Sequence, residues 1–286
     1  MEKAKLRLFQ HRRGVLELGG RTRLMGIVNV TPDSFSDGGQ YFEANRAAEH
    51  ALELVKQGAD IIDLGAESSR PGSHGVPADT QLGRLLPVLE EIRPETDAII
   101  SIDTRSSVVA KFCLAIGADV INDVSGLNDD IELAPVCNEH HAGLILMHMR
   151  GTPATMQQEP HYDDVVSEVT QSLSESVAIA NHHGVDKEFI LVDPGLGFGK
   201  NFTHNYILLR NLDRLKGLGA GVLVGPSRKA FTGEFSGLAA SARQFSTAAA
   251  VAIAVMNGAD VIRVHDIAEM RQVTDICDRY SELTHG

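Results

Sequence analysis

The sequence has no tryptophan, three cysteines and few aromatic residues, 5% in all. It is also poor in positive charge: 26 Lys and Arg stand against 38 Asp and Glu, a formal net charge of -12 with the histidines neutral. That balance argues against broad binding to nucleic acid or to an anionic membrane, both of which need a basic footprint. A small anionic ligand is still open to it, provided the few cations cluster. Cys113, Cys137 and Cys277 are odd in number and widely spaced, with no Cys-x-x-Cys, so neither a disulfide framework nor a zinc site is expected. A reducing cytoplasm suits them. The basic opening Met-Glu-Lys-Ala-Lys-Leu-Arg is followed by no apolar stretch, and no uncharged apolar run reaches the length of a bilayer, so neither a secretory signal nor a membrane span is expected.

What is present is an apolar content of 43% in 286 residues, enough for one large core. One phrase recurs: Gly58-Ala59-Asp60-Ile61-Ile62, Gly117-Ala118-Asp119-Val120-Ile121 and Gly258-Ala259-Asp260-Val261-Ile262. Each follows a helical pattern. The glycine suits the left-handed turn that ends a helix, and an apolar strand follows. Reading outward from these joints gives eight short apolar runs: Leu24–Val30, Ile61–Gly65, Ile99–Asp103, Val120–Asp123, Leu144–His148, Phe189–Asp193, Val222–Gly225 and Val261–His265. They are nearly continuous in hydrophobicity, as strands buried on both faces are. Amphipathic stretches such as Ala44–Gln57, Thr80–Ile92, Ser106–Ile116, Asp163–His182 and Phe245–Asn257 lie between them. Eight alternating units predict a (β/α)8 TIM barrel of the α/β class, one domain over 1–286 with its core at about 20–283. The residues before about 20 are expected to form a short hairpin over the barrel bottom.

The runs end in polar residues: Asn29, Asp63 with Glu67, Asp103, Asn122 with Asp123, His148, Asp193, Ser227, and Arg263 with His265. A parallel barrel gathers all strand C-termini on one face, where barrel enzymes keep their active sites. Each of these residues alone could equally cap the next helix. As a set they predict a shared mouth. Asp103, Asn122, Asp123 and Asp193 offer acceptors and an amide suited to a flat heterocycle. Arg263 and His265, at i and i+2, share a face beside Ser227-Arg228-Lys229, which is where barrels bind phosphate. The competing reading is an ion-pair cluster with the acidic strand ends. His148 is expected to be a satisfied rim histidine rather than a base, and the pairs His140-His141 and His182-His183 to be solvated helix ends. Asp193 to Lys200 is neither a dinucleotide fingerprint nor a P-loop; its glycines would let the backbone pass close to a flat ligand.

At this point the motifs match a family. Met25-Gly-Ile-Val-Asn-Val-Thr-Pro-Asp-Ser-Phe-Ser-Asp-Gly-Gly39 closely resembles the first signature of the dihydropteroate synthases, and Glu67-Ser-Ser-Arg-Pro-Gly72 resembles the second. Ser101–Thr104, Ile121–Gly126, Leu146–Met149, Asp193–Lys200, Ser227–Lys229 and Arg263–His265 follow in the family's order, so the resemblance covers about residues 20 to 270. It implies an enzyme that condenses a dihydropterin pyrophosphate with p-aminobenzoate. Asp103, Asn122, Met147, Asp193 and Lys229 would hold the pterin. Arg263, His265 and Asn29 would surround the pyrophosphate, with Asn29 reaching Mg²⁺. Thr31, Phe35, Ser69, Arg70, Pro71, Phe198, Ser227 and Lys229 would enclose the p-aminobenzoate. Lys229, Asp103, Arg263 and Arg70 are the residues expected to carry catalysis. A homodimer through the late helices is implied as well. The chain departs from the pattern at Ala66, Ser69, Leu196 and Ala230, where Gly, Thr, Phe and Ser are usual; Ala230 removes a hydroxyl from the p-aminobenzoate pocket. The rival readings are a methyltetrahydrofolate-type methyltransferase barrel and a pterin-binding protein without catalysis.

Overall fold

The three Gly-Ala-Asp joints are built alike. The computed structural model describes residues 6–31, 39–68, 72–73, 75–152 and 154–284. Gly58, Gly117 and Gly258 take φ of 99°, 123° and 98°, a region closed to most side chains. The aspartate after each glycine then reaches sideways. Asp60 accepts from the Leu24 backbone N–H, Asp119 from Ile100 and Asp260 from Val222, each at 2.9 Å. Each also pairs with arginine: Asp60 with Arg23 and Arg271, Asp119 with Arg93, Asp260 with Arg7. A charge-assisted bond thus fastens one strand's entry to its neighbour's first free donor.

Eight parallel strands close the barrel: β3 (Arg23–Asn29), β4 (Ile61–Gly65), β5 (Ile99–Asp103), β6 (Val120–Asp123), β7 (Gly143–Met147), β8 (Ile190–Asp193), β9 (Gly221–Val224) and β10 (Val261–Val264). They follow chain order around the ring, and β10 pairs back onto β3. The crossover helices are α1 (Gly39–Lys56), α2 (Ala78–Ile92), α3 (Ser107–Ala115), α4 (Leu133–His140), α5 (Val165–His182), α6 (Phe202–Arg210), α7 (Gln244–Met256) and α8 (Ile267–Thr284). Outward strand residues such as Ile62, Leu64, Ile100, Ile102, Ile121 and Leu144 join the helices in one apolar cluster. The Ala-rich run of α7 packs Ala250, Val251 and Ala254 into that cluster. The strand ends match the sequence reading to within about a residue.

The expected hairpin is present as β1 (Arg7–His11) and β2 (Gly14–Leu18), paired antiparallel. Its inner face buries Phe9, Leu16 and Leu18 against Met25, Ile61, Ile99, Val120, Ile145, Leu191, Leu223 and Val261. These are inward residues from the early part of the strands, so the barrel is plugged with apolar side chains from below. The interior turns polar further along. Strands β10, β4, β6 and β8 alternate around the ring and contribute Arg263, Asp63, Asn122 and Asp193, in the way a TIM barrel builds each interior layer from alternate strands. The sequence order within each short strand, apolar first and polar last, therefore becomes a vertical gradient from dry floor to polar mouth.

Candidate active site

The polar layer is wired together. Arg263 donates from Nε to Asp63 Oδ2 at 2.6 Å and from Nη2 to Asp103 Oδ2 at 3.0 Å. Asn122 Nδ2 donates to the same Asp63 oxygen at 3.1 Å. Asp63, Asn122 and Asp193 are buried, and Asp103 and Arg263 are partly open to the mouth. Burial pushes the Asp103 carboxyl above the usual range, and the nearby Asp63 adds to this against the pull of Arg263. Burial likewise raises Asp193, opposed by the Gly195 N–H and Lys229. Burial alone would weaken the Arg263 guanidinium, but Asp63 and Asp103 outweigh it and hold the charge firmly. The ion-pair cluster weighed against phosphate binding thus exists. It sits at the same place as the expected anion site rather than instead of it.

The second half of the mouth is a cation on an apolar patch. Lys229 Nζ donates to the Leu196 carbonyl at 2.8 Å and lies 3.9 Å from the centre of the Phe198 ring. Phe198 clusters with Met147, Val124 and Met156, and Met149 packs on them. Burial drives the Lys229 pKa down to about 7, with Asp193 opposing and Arg263 reinforcing the fall. The contact to Leu196 is made through backbone, so the Leu for Phe exchange at this position leaves it intact.

The loop after β8 is held from inside. Gly195 and Gly199 take φ of 66°, and a side chain on either would meet backbone oxygen, of His148 at 2.0 Å and of Arg150 at 2.4 Å. The buried Lys200 turns inward, with Nζ 2.8 Å from His148 Nδ1, 2.9 Å from the Phe198 carbonyl and 3.3 Å from the His148 carbonyl. Burial and the Lys200 charge depress His148 to about 3, so its ring is a neutral acceptor. It is the satisfied histidine the sequence suggested. The glycines serve this loop's approach to the end of β7.

Other expected residues fall as follows. His265 is joined to Ser227, Oγ to Nδ1 at 2.9 Å, beside the end of β10. Asn29 is exposed on the rim at the end of β3, the strand paired with β10. Thr31 is half-buried just beyond it. Phe35, Ser69, Arg70 and Pro71 lie outside the described residues. Two readings need correction. Asp123 is not an acceptor for a ligand: its oxygens take the Ser125 N–H at 2.8 Å, the Ser125 hydroxyl at 2.6 Å and the Leu127 N–H at 2.6 Å. As the fourth residue of β6, one past Asn122, it faces away from the layer that Asn122 joins. Arg228 does not add to the cationic side either, because its guanidinium is taken by Asp266 at 2.6 Å. Conversely, the sequence marks Asp63 only as a polar strand residue and assigns it no role. A charge in the middle of Ile-Ile-Asp-Leu-Gly, with the parity of Arg263 in its own strand, was the signal. Arg243, which donates to the Lys229 carbonyl at 3.1 Å and so steadies that loop, carried no signal in the sequence.

A closed parallel barrel with a dry floor and a mouth of buried carboxylate, amide and cation defines a barrel enzyme for a flat, anionic substrate. The model of the family described as pterin binding enzyme matches residues 25–265. The chain belongs to that family, among its dihydropteroate synthases. It is 43% identical over 265 residues to the dihydropteroate synthase of Synechocystis sp., covering 92% of each chain. The Yersinia pestis dihydropteroate synthase, solved as a sulfonamide drug complex, superposes with a TM-score of 0.90 at 36% identity, covering 96% of this chain and 99% of that one. The Burkholderia cenocepacia enzyme, solved with 7,8-dihydropteroate, superposes with a TM-score of 0.87 at 35% identity over 98% and 99%.

Proposed function

We propose that this chain condenses 6-hydroxymethyl-7,8-dihydropterin pyrophosphate with p-aminobenzoate, giving 7,8-dihydropteroate and pyrophosphate for folate biosynthesis. The observation that carries the reading is the pairing of Asp103 with Arg263, which shares a layer with Asn122 and Asp193, with Lys229 beside them. An anion-binding group and a heterocycle-binding group adjoin there. The pterin lies on Met147, its N–H groups facing Asp103, Asp193 and the Asn122 carboxamide oxygen and its carbonyl facing Lys229. Arg263 and His265 take the pyrophosphate. Thr31, Phe35, Ser69, Arg70 and Pro71 close over the p-aminobenzoate, with Phe198, Ser227 and Lys229 on its other side.

The cation expected is Mg²⁺. The donor set suits it: Asn29 offers a hard carboxamide oxygen on the rim, next to the strand that carries Arg263, and Mg²⁺ needs few protein ligands when phosphates and waters supply the rest. Bound there, it would add to the charge neutralisation of the leaving pyrophosphate. The chain's own part is electrostatic. Arg263 and His265 stabilise charge developing on the leaving oxygen, and the buried layer holds the pterin in register. An electron-rich dihydropterin stabilises a methylene cation, and an arylamine is a neutral nucleophile near pH 7. No strong general base is required, which agrees with a neutral, internally bonded His148.

Pyrophosphate release from the pterin substrate with Mg²⁺, measured with and without p-aminobenzoate, tests both the activity and the step order. Release with the amine and formation of dihydropteroate are expected, together with slow release without it. An enzyme that keeps its pyrophosphate until the amine arrives has an associative step instead, and an inert protein returns the case to a non-catalytic pterin binder. A homodimer is part of the proposal. Ile253 and Met256 of α7 and Ile276, Tyr280 and Leu283 of α8 are exposed on adjoining helices. A cytoplasmic setting suits three buried, unlinked thiols.

A further inference from the structure

Asp63 is among neither the residues expected to hold the pterin nor those expected to hold the pyrophosphate, yet it touches one of each. We propose that Asp63 is a positioning residue that fixes Arg263 for the pyrophosphate and Asn122 for the pterin, so that both substrate-binding groups share one buried anchor. The proposal rests on the function argued above.

Three observations support it. Asp63 is fully buried in the middle of β4, where its neighbours Ile61, Ile62 and Leu64 are all apolar, so its charge has no solvent to lean on. A carboxylate in such a place is costly unless its partners are well placed. Both partners it meets are in the candidate site. Arg263 Nε bonds to it at 2.6 Å and Asn122 Nδ2 at 3.1 Å, both on Oδ2. Finally, the geometry leaves the partners' working ends available. Arg263 gives Asp63 its Nε, the atom at the elbow of the guanidinium, while Nη2 reaches on to Asp103. Asn122 gives its N–H₂, which leaves the carboxamide oxygen as the acceptor for a ligand. An unanchored Asn122 amide could flip and present a donor instead. Among the described residues Asp63 Oδ1 is buried and meets no hydrogen-bond partner, so the carboxylate's contacts there run through the oxygen that serves Arg263 and Asn122.

Arg263 is therefore held by two carboxylates of different standing. Asp103 is near the opening and is needed by the pterin. Asp63 is below it and never exposed. When the substrate takes Asp103, the Nε bond to Asp63 still holds the planar guanidinium in place, and Nη2 is released to the pyrophosphate.

The test is Asp63→Asn, which keeps the shape and removes the charge. Wild-type pyrophosphate release is measured first, since an inert wild type rejects the proposed function and says nothing about Asp63. In an active background, kcat/KM for the pterin substrate is expected to fall on the order of 30-fold or more, the scale of breaking a buried hydrogen-bonded charge pair. KM for p-aminobenzoate should stay within about twofold, because its pocket lies on the Phe198 side; a structural defect would move both constants. Calorimetry with inorganic pyrophosphate and with the bare pterin should show both weakened. Arg263→Gln and the double variant Asp63→Asn/Arg263→Gln complete a cycle: if Asp63 acts through Arg263, the double variant binds pyrophosphate no worse than Arg263→Gln alone. The double variant removes both charges, so it also serves if Asp63→Asn does not fold, and the bare pterin must then bind it more weakly than Arg263→Gln. Unchanged pyrophosphate and pterin affinities in Asp63→Asn, additive losses in the cycle, or equal pterin binding by the double variant and Arg263→Gln overturn the proposal.

Discussion

Arg263 Nη2 donates to Asp103 Oδ2 at 3.0 Å, so the group expected to bind the pyrophosphate and a group expected to bind the pterin are each other's partner in the free protein. A pterin pyrophosphate asks each for something else. Asp103→Asn should therefore lower kcat/KM on the order of 100-fold, by removing an acceptor for the pterin. It should not weaken inorganic pyrophosphate, and a modest gain is expected, because Arg263 is released from one carboxylate. Titration calorimetry with pyrophosphate decides it. A loss of pyrophosphate affinity in Asp103→Asn would mean that Asp103 orients the arginine instead of competing for it.

Lys229 offers a test by proton counting. Burial lowers its pKa to about 7, so at pH 8 most of it is neutral in the free protein. An anionic substrate beside it favours the charged form and raises the pKa. Binding at pH 8 should then take up a proton, and the binding enthalpy should vary with the ionisation heat of the buffer. The uptake should fade towards pH 6, where the lysine is already charged, and vanish in Lys229→Met. A buffer-independent enthalpy at pH 8 would falsify this account.

Asn29 is exposed on the rim, so its loss should affect the metal requirement and leave the fold alone. In Asn29→Ala the Mg²⁺ concentration for half-maximal rate should rise roughly tenfold or more, the scale seen when a metal site loses a supporting contact. The unfolding free energy should change by no more than about 0.5 kcal/mol, as at other surface positions. Chelation should stop turnover in the parent. An unchanged Mg²⁺ dependence would remove Asn29 from the metal's surroundings.

Two glycines should behave oppositely when replaced by alanine. Gly195 has φ of 66°, and a Cβ there would lie 2.0 Å from the His148 carbonyl oxygen, so Gly195→Ala should cost about 3 kcal/mol or more and displace the loop that carries Phe198. Gly83 lies within α2 with nothing within 4 Å of an added Cβ, so Gly83→Ala should stabilise by roughly 0.5–1 kcal/mol. Urea unfolding of the pair reads out both signs.

Ala230 opens a four-residue 3-10 helix directly after Lys229 and is exposed. Ala230→Ser restores a hydroxyl beside the expected p-aminobenzoate pocket. It should lower KM for p-aminobenzoate with little change in kcat. Equal KM values would place that carboxylate elsewhere.

The barrel was readable because its strands are apolar on both faces and its joints repeat. The Gly of each Gly-Ala-Asp announced a helix end through its own backbone preference. The Asp did not announce its work, because a side chain that bonds to a neighbouring strand is legible only once the strands are side by side. The same limit hid Asp63. Its partners are 59 and 200 residues away in sequence, and no local pattern ties them together. Asp123 misled for a related reason: it ends a strand as Asn122 nearly does, but the period of two sends it to the other face, where Ser125 and Leu127 claim it. The signature loops after β3 and β4 supplied the most specific family motifs, yet Phe35, Ser69, Arg70 and Pro71 fall outside the described residues.

The β1–β2 hairpin seals the floor of the barrel, at the pole opposite the strand ends that carry Arg263 and Asp103. A label on the exposed Arg12–Arg13 turn of this hairpin would therefore sit below the floor and leave the reacting rim unobstructed. A sensor chip holding the protein by that turn would keep its mouth outward, which suits direct measurement of substrate capture.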